Sequence, residues 1–430
     1  MKNIFKSLVA FKLSLIARVV IRRYRPQIVL VTGSVGKTST KDAVAAVLRT
    51  RFFVRKSEKS FNSEFGVPFT ILGVENPWCN PFAWFGVAKS TLALLFLPNH
   101  YPNMLVLEVG ADRPGDLSRI LRFAAPNAVV VTRLPEIPVH VEAYASPEAV
   151  REEEFSPAYA LSAGAPLIIS ADDLYALDNA MRTPARVISY GKAGSATIRI
   201  HDIGFYEEKG NIAGMSAKVT TADGTGKIIV KHSIGVTQLL PVAAALAVAQ
   251  AFDISLSEAL SALNDYEPPP GRGRLLNGIH GSTIIDDSYN SSPAAVEEAL
   301  ATLKTFPRIG HHACASRRIA VLGDMLELGR YSVAEHERIA KLAGESADVI
   351  VTVGIRARAF ATTSSCAEIL SFNNSYEAAS VLAAFIREGD IVLVKGSQSI
   401  RTERIVEALL ADSADASKLV RQEKKWKEKI

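Results

Sequence analysis

Short apolar runs alternate with stretches in which apolar positions recur every three or four residues, the rhythm of buried strands feeding helices. Residues 28–31 suit a buried strand, and Ala43, Val44, Val47 and Leu48 predict a helix over 38–48. Residues 104–109 and 129–132 read as further strands, and residues 238–251 as an alanine-rich helix. Between them, residues 187–232 alternate and carry glycine turns, which predicts strands packed beside a main sheet. From 275 to 412, apolar runs at 283–285, 319–322, 349–353 and 391–394 alternate with helical patterns, the signature of a doubly wound sheet. The expected fold class is therefore α/β, with a mostly parallel sheet in a central domain and a doubly wound, Rossmann-like C-terminal domain.

Two stretches stand apart. Residues 3–24 place Ile4, Leu8, Phe11, Leu15 and Val19 at helical spacing with no glycine and no proline, predicting an amphipathic helix. Residues 76–107 hold a single charge, Lys89, and include Trp78, Trp84 and Phe96; Pro98 and Pro102 argue against a membrane span, and most of the stretch is expected in the core, with a hydrophobic flap near the first helix as the alternative.

At 430 residues the chain exceeds what one core usually organises. The stiff, basic stretch Glu267-Pro268-Pro269-Pro270-Gly271-Arg272-Gly273-Arg274 is the best boundary, giving an N-terminal helix at 1–27, a central domain at 28–270 and a C-terminal domain at 271–430 with a basic, solvated tail. The net charge of +5 is mild, and no nucleic-acid partner is expected. Cys79, Cys314 and Cys366 are odd in number and widely spaced, forming neither a disulfide framework nor a metal cluster, which fits a reducing cytoplasm. Charge is distributed unevenly: Lys2, Lys6, Lys12, Arg18, Arg22, Arg23 and Arg25 all precede the first acid, Asp42. The first helix therefore either rests on anionic lipid at the inner face of a membrane or packs on its own domain or a partner.

The candidate chemistry starts where the first strand breaks into Thr32-Gly33-Ser34-Val35-Gly36-Lys37-Thr38-Ser39-Thr40. Gly33 and Gly36 permit a sharp turn, Lys37 offers a cation, and the Thr38 hydroxyl is placed to ligate Mg²⁺ at the head of the next helix. Ser34, Val35 and Ser39 complete a candidate phosphate-binding loop. Glu108 interrupts an apolar run at a strand end, where a carboxylate commonly holds the same Mg²⁺; Asp112 reads as a helix-capping acid. His140, taken alone, reads as structural.

Together with Phe61-Asn62-Ser63-Glu64-Phe65-Gly66-Val67-Pro68 and Leu107-Glu108-Val109-Gly110-Ala111-Asp112-Arg113-Pro114-Gly115, the loop resembles the Mur ligase family. The stretches Ile285-Asp286-Asp287-Ser288-Tyr289-Asn290-Ser291-Ser292-Pro293, Val321-Leu322-Gly323-Asp324-Met325-Leu326-Glu327-Leu328-Gly329 and Val394-Lys395-Gly396-Ser397 follow in the family's order, so the resemblance runs from about residue 28 to 410. It implies an ATP-dependent, Mg²⁺-requiring amide ligase acting through an acyl phosphate, a monomer whose substrates are a muramyl peptide carboxylate and D-alanyl-D-alanine. By the same resemblance Lys37, His140 and Lys395 are catalytic, Thr38, Glu108 and His140 hold metal, and Gln238, Arg272, Asp287 and Asn290 contact the nucleotide, with Glu327 facing the cleft.

Three departures qualify it. Relatives carry a carbamylated lysine after the histidine, where this chain places Glu154 or a neighbouring glutamate in Glu152-Glu153-Glu154; either a carboxylate is supplied directly, without CO₂, or the three are a solvated helix face. Relatives hold the uridine nucleotide in a domain ahead of the loop, where 27 residues stand here, so that domain is expected to be missing. Gln398 stands where relatives often have arginine, with Arg401 following. Another carboxylate substrate, or a non-catalytic nucleotide-binding scaffold at a membrane, are the competing readings.

Overall fold

The computed structural model describes residues 2–58, 61–77, 80–308, 316–363 and 368–427; Trp78, Cys79, Cys314 and Cys366 lie outside them. The chain opens with helix α1 (Lys2–Tyr24), strand β1 (Gln27–Thr32), α2 (Lys37–Leu48), β2 (Val54–Lys56), α3 (Gly66–Leu72) and α4 (Pro81–Phe96). Next come β3 (Met104–Glu108), α5 (Asp116–Leu121), β4 (Ala128–Val131), α6 (Pro147–Tyr159), β5 (Pro166–Ser170), α7 (Leu174–Ala180) and β6 (Arg186–Gly191). Three long strands, β7 (Ile198–Glu208), β8 (Asn211–Thr221) and β9 (Gly224–Lys231), precede α8 (Leu239–Ala251) and α9 (Leu256–Leu263).

Among the described residues these strands form one nine-stranded sheet in the order β2-β3-β1-β4-β5-β6-β7-β8-β9. Strands β2 to β7 run parallel, while β7–β8 and β8–β9 pair antiparallel. The alternating stretch at 187–232 thus extends the main sheet at its edge instead of packing beside it. The reason is register: Tyr190 and Gly191 pair with Ile198 and Arg199, so the first strand of the meander continues the ladder. Strands β3 and β4 are buried along their lengths, and β1 from Ile28 onward, as a parallel sheet covered on both faces requires. Helix α8 is apolar all round because it lies wholly inside, packed on α2 and the sheet.

The second sheet comprises β10 (Arg274–Asn277), β11 (Thr283–Asp287), β12 (Arg318–Gly323), β13 (Val349–Val353), β14 (Glu368–Phe372) and β15 (Ile391–Lys395), ordered β10-β11-β15-β12-β13-β14. All its pairings are parallel except β10–β11. Helices α10 (Pro293–Thr305), α11 (Ser332–Ser346), α12 (Ala359–Thr363), α13 (Ser375–Phe385) and α14 (Glu403–Leu409) accompany it. The alternation of strands and helices predicted this doubly wound arrangement.

Helix α1 buries Ala10, Leu13, Ala17 and Val20 against the core beneath α3 and α4; Leu13 and Val20 alone contribute roughly 3–6 kcal/mol. Its end is fixed by Tyr24, which stacks on Tyr101 at 4.4 Å and donates to Leu94 O at 2.8 Å. The apolar stripe read from the sequence is the other face: Leu8, Phe11, Leu15 and Val19 point outward, and the side chain of Ile4 lies outside the described part. Helix α4 likewise buries Val87, Thr91 and Leu94 and turns Phe82, Phe85, Leu92 and Phe96 outward, so much of the expected core stretch is surface. No helix among the described residues is long and apolar enough to cross a membrane.

Candidate functional site

In the first sheet the chain order reverses at β1, which lies between β3 and β4, so the loops leaving β1, β3 and β4 splay apart at their carboxyl ends and leave a crevice. The glycine loop fills it. Gly33 has φ 113° and Gly36 φ 89°, and a Cβ at Gly33 would collide with the Thr132 hydroxyl, so the turn requires glycine there. The N–H groups of Ser34 and Val35 donate to Arg133 O at 3.0 and 3.3 Å, pinning the loop to the end of β4. The N–H groups of Lys37, Thr38 and Ser39 head α2, where a helix has donors without intrahelical acceptors, a favourable place for an anion.

Beneath the loop a buried charge cluster forms. Thr38 Oγ1 donates to Glu108 Oε1 at 3.1 Å, and Lys41 Nζ lies 3.7 Å from Glu108 Oε2. Burial pushes the Glu108 carboxyl up, against the pull of Lys41 and Lys37. Its Oε2 is buried and accepts no hydrogen bond, a coordination position open to a cation. Among the described residues no three His, Cys, Asp or Glu side chains form a ready-made metal centre. Mg²⁺ needs no such cage, because it keeps water and substrate phosphates as ligands and takes one or two protein oxygens, and Thr38 Oγ1 and Glu108 Oε2 are two oxygens that could hold it here. Lys41 was not singled out in the sequence, although i+4 spacing from Lys37 puts both on one face of α2.

The three glutamates of α6 part company. Glu152 accepts from Tyr175 at the surface, and Glu153 caps α5 through the N–H groups of Gly115 and Leu117 at 3.1 and 3.0 Å. Glu154 is 2% exposed, accepts a very short hydrogen bond from Ser34, and stands 3.7 Å from Lys37 Nζ. A solvated helix face is therefore excluded for Glu154. Lys37 itself folds back to donate to Gly33 O.

His140 sits at φ 68° after β4, with Nδ1 2.7 Å from Glu327 and Nε2 3.5 Å from Asp112. Burial lowers the affinity of its ring for a proton, but the Glu327 hydrogen bond and charge, with Asp112, outweigh it and raise the imidazole above its ordinary range. Asp112 is not the capping acid expected, since Gly115 precedes α5 and Glu153 accepts from the N–H groups of Gly115 and Leu117. His140 and Glu154 line the same cleft but are held by different partners.

Across the cleft, register pairs Asp287 with Lys395 at the ends of β11 and β15. Lys395 is fully buried and donates to Asp287 Oδ2 at 2.6 Å and to Asn290 O at 3.0 Å. Burial lowers the Lys395 ammonium against the pull of Asp287. Neither Asp287 nor Asn290 caps the following helix, because Ser292 caps α10. Arg272 lies 4.1 Å over the Tyr289 ring and lines both the main cleft, of about 770 Å³, and a smaller cavity of about 210 Å³ where Gln238, Asp287 and Lys395 meet.

The tail expected to be solvated is seated. Arg421 donates to Glu403 at 2.9 Å and to Ser288 O at 3.2 Å and is buried; Arg401, also buried, ion-pairs with Glu403 and donates to Trp426 O at 2.9 Å. Gln398, Arg401 and Trp426 line the cleft. Trp426 gave no sequence signal, because its partners lie far away along the chain.

Residues 87–249 match the Mur ligase middle domain, and residues 271–398 match the Mur ligase, glutamate ligase domain. The chain is 29% identical over 412 residues to the UDP-N-acetylmuramoyl-tripeptide–D-alanyl-D-alanine ligase of Mycobacterium leprae (strain TN), spanning 90% of this chain and 74% of that protein. It is 25% identical over 402 residues to the ligase of the same name from Bacillus subtilis (strain 168), spanning 92% and 78%. The crystal structure of MurF ligase from Thermotoga maritima in complex with ADP superposes with a TM-score of 0.76 at 25% identity, covering 93% of this chain and 83% of that one. Folylpolyglutamate synthase from Mycobacterium tuberculosis, complexed with ADP, shares the fold at a TM-score of 0.63 and 14% identity.

Proposed function

The chain belongs to the Mur ligase family, and we propose from that premise that it is an ATP-dependent ligase joining D-alanyl-D-alanine to the terminal carboxylate of a UDP-N-acetylmuramoyl tripeptide. The observation that carries the reading is the convergence on one cleft of the glycine loop and Glu108 from the first sheet with Asn290, Gln398 and Arg401 from the second.

The reaction gathers a triphosphate and a carboxylate, so the site's first task is to offset negative charge. The α2 N–H groups and Lys37 cradle the phosphates; Lys37 exchanges its contact with Gly33 O for a phosphate oxygen. Mg²⁺, held by Thr38 Oγ1 and Glu108, supplies further neutralisation when bound. Glu154 orients Lys37 and the loop through Ser34, and with His140, which lines the same cleft, is proposed to support a second cation. The substrate carboxylate oxygen forms a bond to the γ-phosphorus as the bond to ADP breaks; the dipeptide amine then adds to the acyl carbon, loses a proton, and phosphate leaves. Gln398 and Arg401, which line the cleft, are the side chains proposed to meet the dipeptide carboxylate, Arg401 while it keeps its pair with Glu403. Arg272 and Asn290 line the main cleft, and Arg272, Gln238 and Asp287 line the smaller cavity, where nucleoside contacts are proposed. Use of ATP and a nucleotide-linked precursor puts the reaction in the cytoplasm.

The test is purified full-length chain with ATP, Mg²⁺, UDP-N-acetylmuramoyl tripeptide and D-alanyl-D-alanine, following phosphate release and the product mass. Release that depends on both substrates is expected. ATP binding without release on any muramyl peptide overturns the ligase reading in favour of a scaffold, and release with another carboxylate alone reassigns the substrate.

A further inference from the structure

Helices α1 and α4 lie side by side, joined by the hydrogen bonds of Arg23 and Tyr24 to Leu95 O and Leu94 O at 2.9 and 2.8 Å. Each buries one face on the domain and turns an apolar stripe the opposite way. On α1 the stripe is Leu8, Phe11, Leu15 and Val19, with Leu8 50% and Phe11 61% exposed. On α4 it is Phe82, Phe85, Leu92 and Phe96, with Phe82 88%, Phe85 76% and Phe96 74% exposed. Helical spacing aligns each set along one line of its helix, so this is a contiguous feature and not scattered surface residues.

The charges around the stripes decide what covers them. Helix α1 carries six cations and α4 carries Lys89, with no carboxylate on either. Lys12 and Arg18 flank the α1 stripe on its two sides, and Lys89 falls on the exposed line of α4. A second copy of this face would bring cations against cations. A surface of anionic phospholipid headgroups over acyl chains matches both features, taking the apolar side chains below and the ammonium and guanidinium groups at headgroup level. Neither helix qualifies to span a bilayer. We propose that the α1–α4 face docks the protein, lying flat, on an anionic membrane surface.

The test is co-sedimentation of the full-length chain with vesicles of phosphatidylcholine alone or mixed with phosphatidylglycerol. Binding to the phosphatidylglycerol vesicles is expected, weakening as salt rises. Lys12→Glu and Arg18→Glu should each weaken it by about fivefold or more, and the double variant Phe11→Asp, Phe85→Asp should abolish it. These side chains point outward, so an unchanged melting temperature and unchanged ATP binding verify folding. A chain that stays in the supernatant with anionic vesicles overturns the proposal, as does binding indifferent to all the variants. A dimer by light scattering that Phe85→Asp splits, with no vesicle binding, assigns the face to a second copy and also overturns it.

Discussion

Lys37 is held between Gly33 O and Glu154, cocked toward the loop it serves. Replacing Lys37 with Ala removes that cation, and turnover should fall by about a hundredfold or more; unchanged phosphate release at saturating ATP would remove the loop from the mechanism. Glu154 is the sharper case, because the carboxylate is encoded in the side chain. Glu154→Gln should lower turnover by about 10- to 100-fold, and bicarbonate should leave wild-type activity unchanged; activation by bicarbonate with a mass increment on a lysine would reassign this role. Asp286 lies fully buried just before Asp287, and burial pushes its carboxyl up to about 6 from 3.8. A raised carboxyl favours the folded state below its unfolded value, and that contribution is lost as pH rises through the folded value. Asp286→Asn should therefore be near neutral at pH 4 and stabilise on the order of 2 kcal/mol at pH 8; a melting difference that does not grow with pH would contradict the burial argument. The loop glycines, Lys37 and Glu108 were legible in the sequence because they interrupt apolar pattern. Lys41, Trp426 and Arg421 were not, because each is defined by partners that only folding brings near.

At the scale of elements, the C-terminal segment after α14 behaves as a strap. It returns to β11, and Arg421 reaches Glu403, Ser288 O and Tyr289 O from a buried position. Its basic composition suggested solvation; the buried carboxylate of Glu403 explains why it docks. Arg421→Ala leaves that carboxylate with Arg401 alone and exposes the carbonyls at 288 and 289, so it should destabilise the protein by about 3 kcal/mol. A urea midpoint within error of wild type would make the strap incidental. Legibility of elements followed burial. Strands β1, β3, β4, β13 and β15 are continuous apolar runs and could be read directly. Strands β2 and β10, three and four residues long, and β14, half-exposed at the sheet edge, carry too few buried positions to signal themselves. The outward stripe of α1 was legible as a stripe, but not the way it faces, since its opposite side is apolar too.

At the scale of the whole molecule, two sheets present their carboxyl ends to one cleft, and a few contacts latch them together. Arg133 pairs with Glu298 at 2.8 Å, and His140 with Glu327 at 2.7 Å. The hydrogen bond from His140, with its charge, lowers the Glu327 carboxyl, while the imidazole is raised. The raised imidazole contributes to the latch at low pH and loses that contribution as pH climbs through its value; the lowered carboxyl loses its own only under acid conditions. The latched form is thus favoured at pH values above the lowered range of the Glu327 carboxyl and below the raised range of the His140 imidazole. Small-angle scattering should give a larger radius of gyration at pH 8.5 than at pH 6, and Glu327→Ala should remove the difference; equal radii in wild type would separate the latch from closure. Two stacked α/β units could be anticipated from the repeated alternation, but their meeting through His140 and Glu327 could not, since the two residues share no motif.

One connection has a mechanical consequence. Helix α1 passes through Arg25 and Pro26 straight into β1, and β1 ends at the glycine loop. Six strand residues form a rod about 20 Å long, clamped between β3 and β4 and unable to stretch. A load on α1 is therefore carried through β1 to the base of the glycine loop without slack.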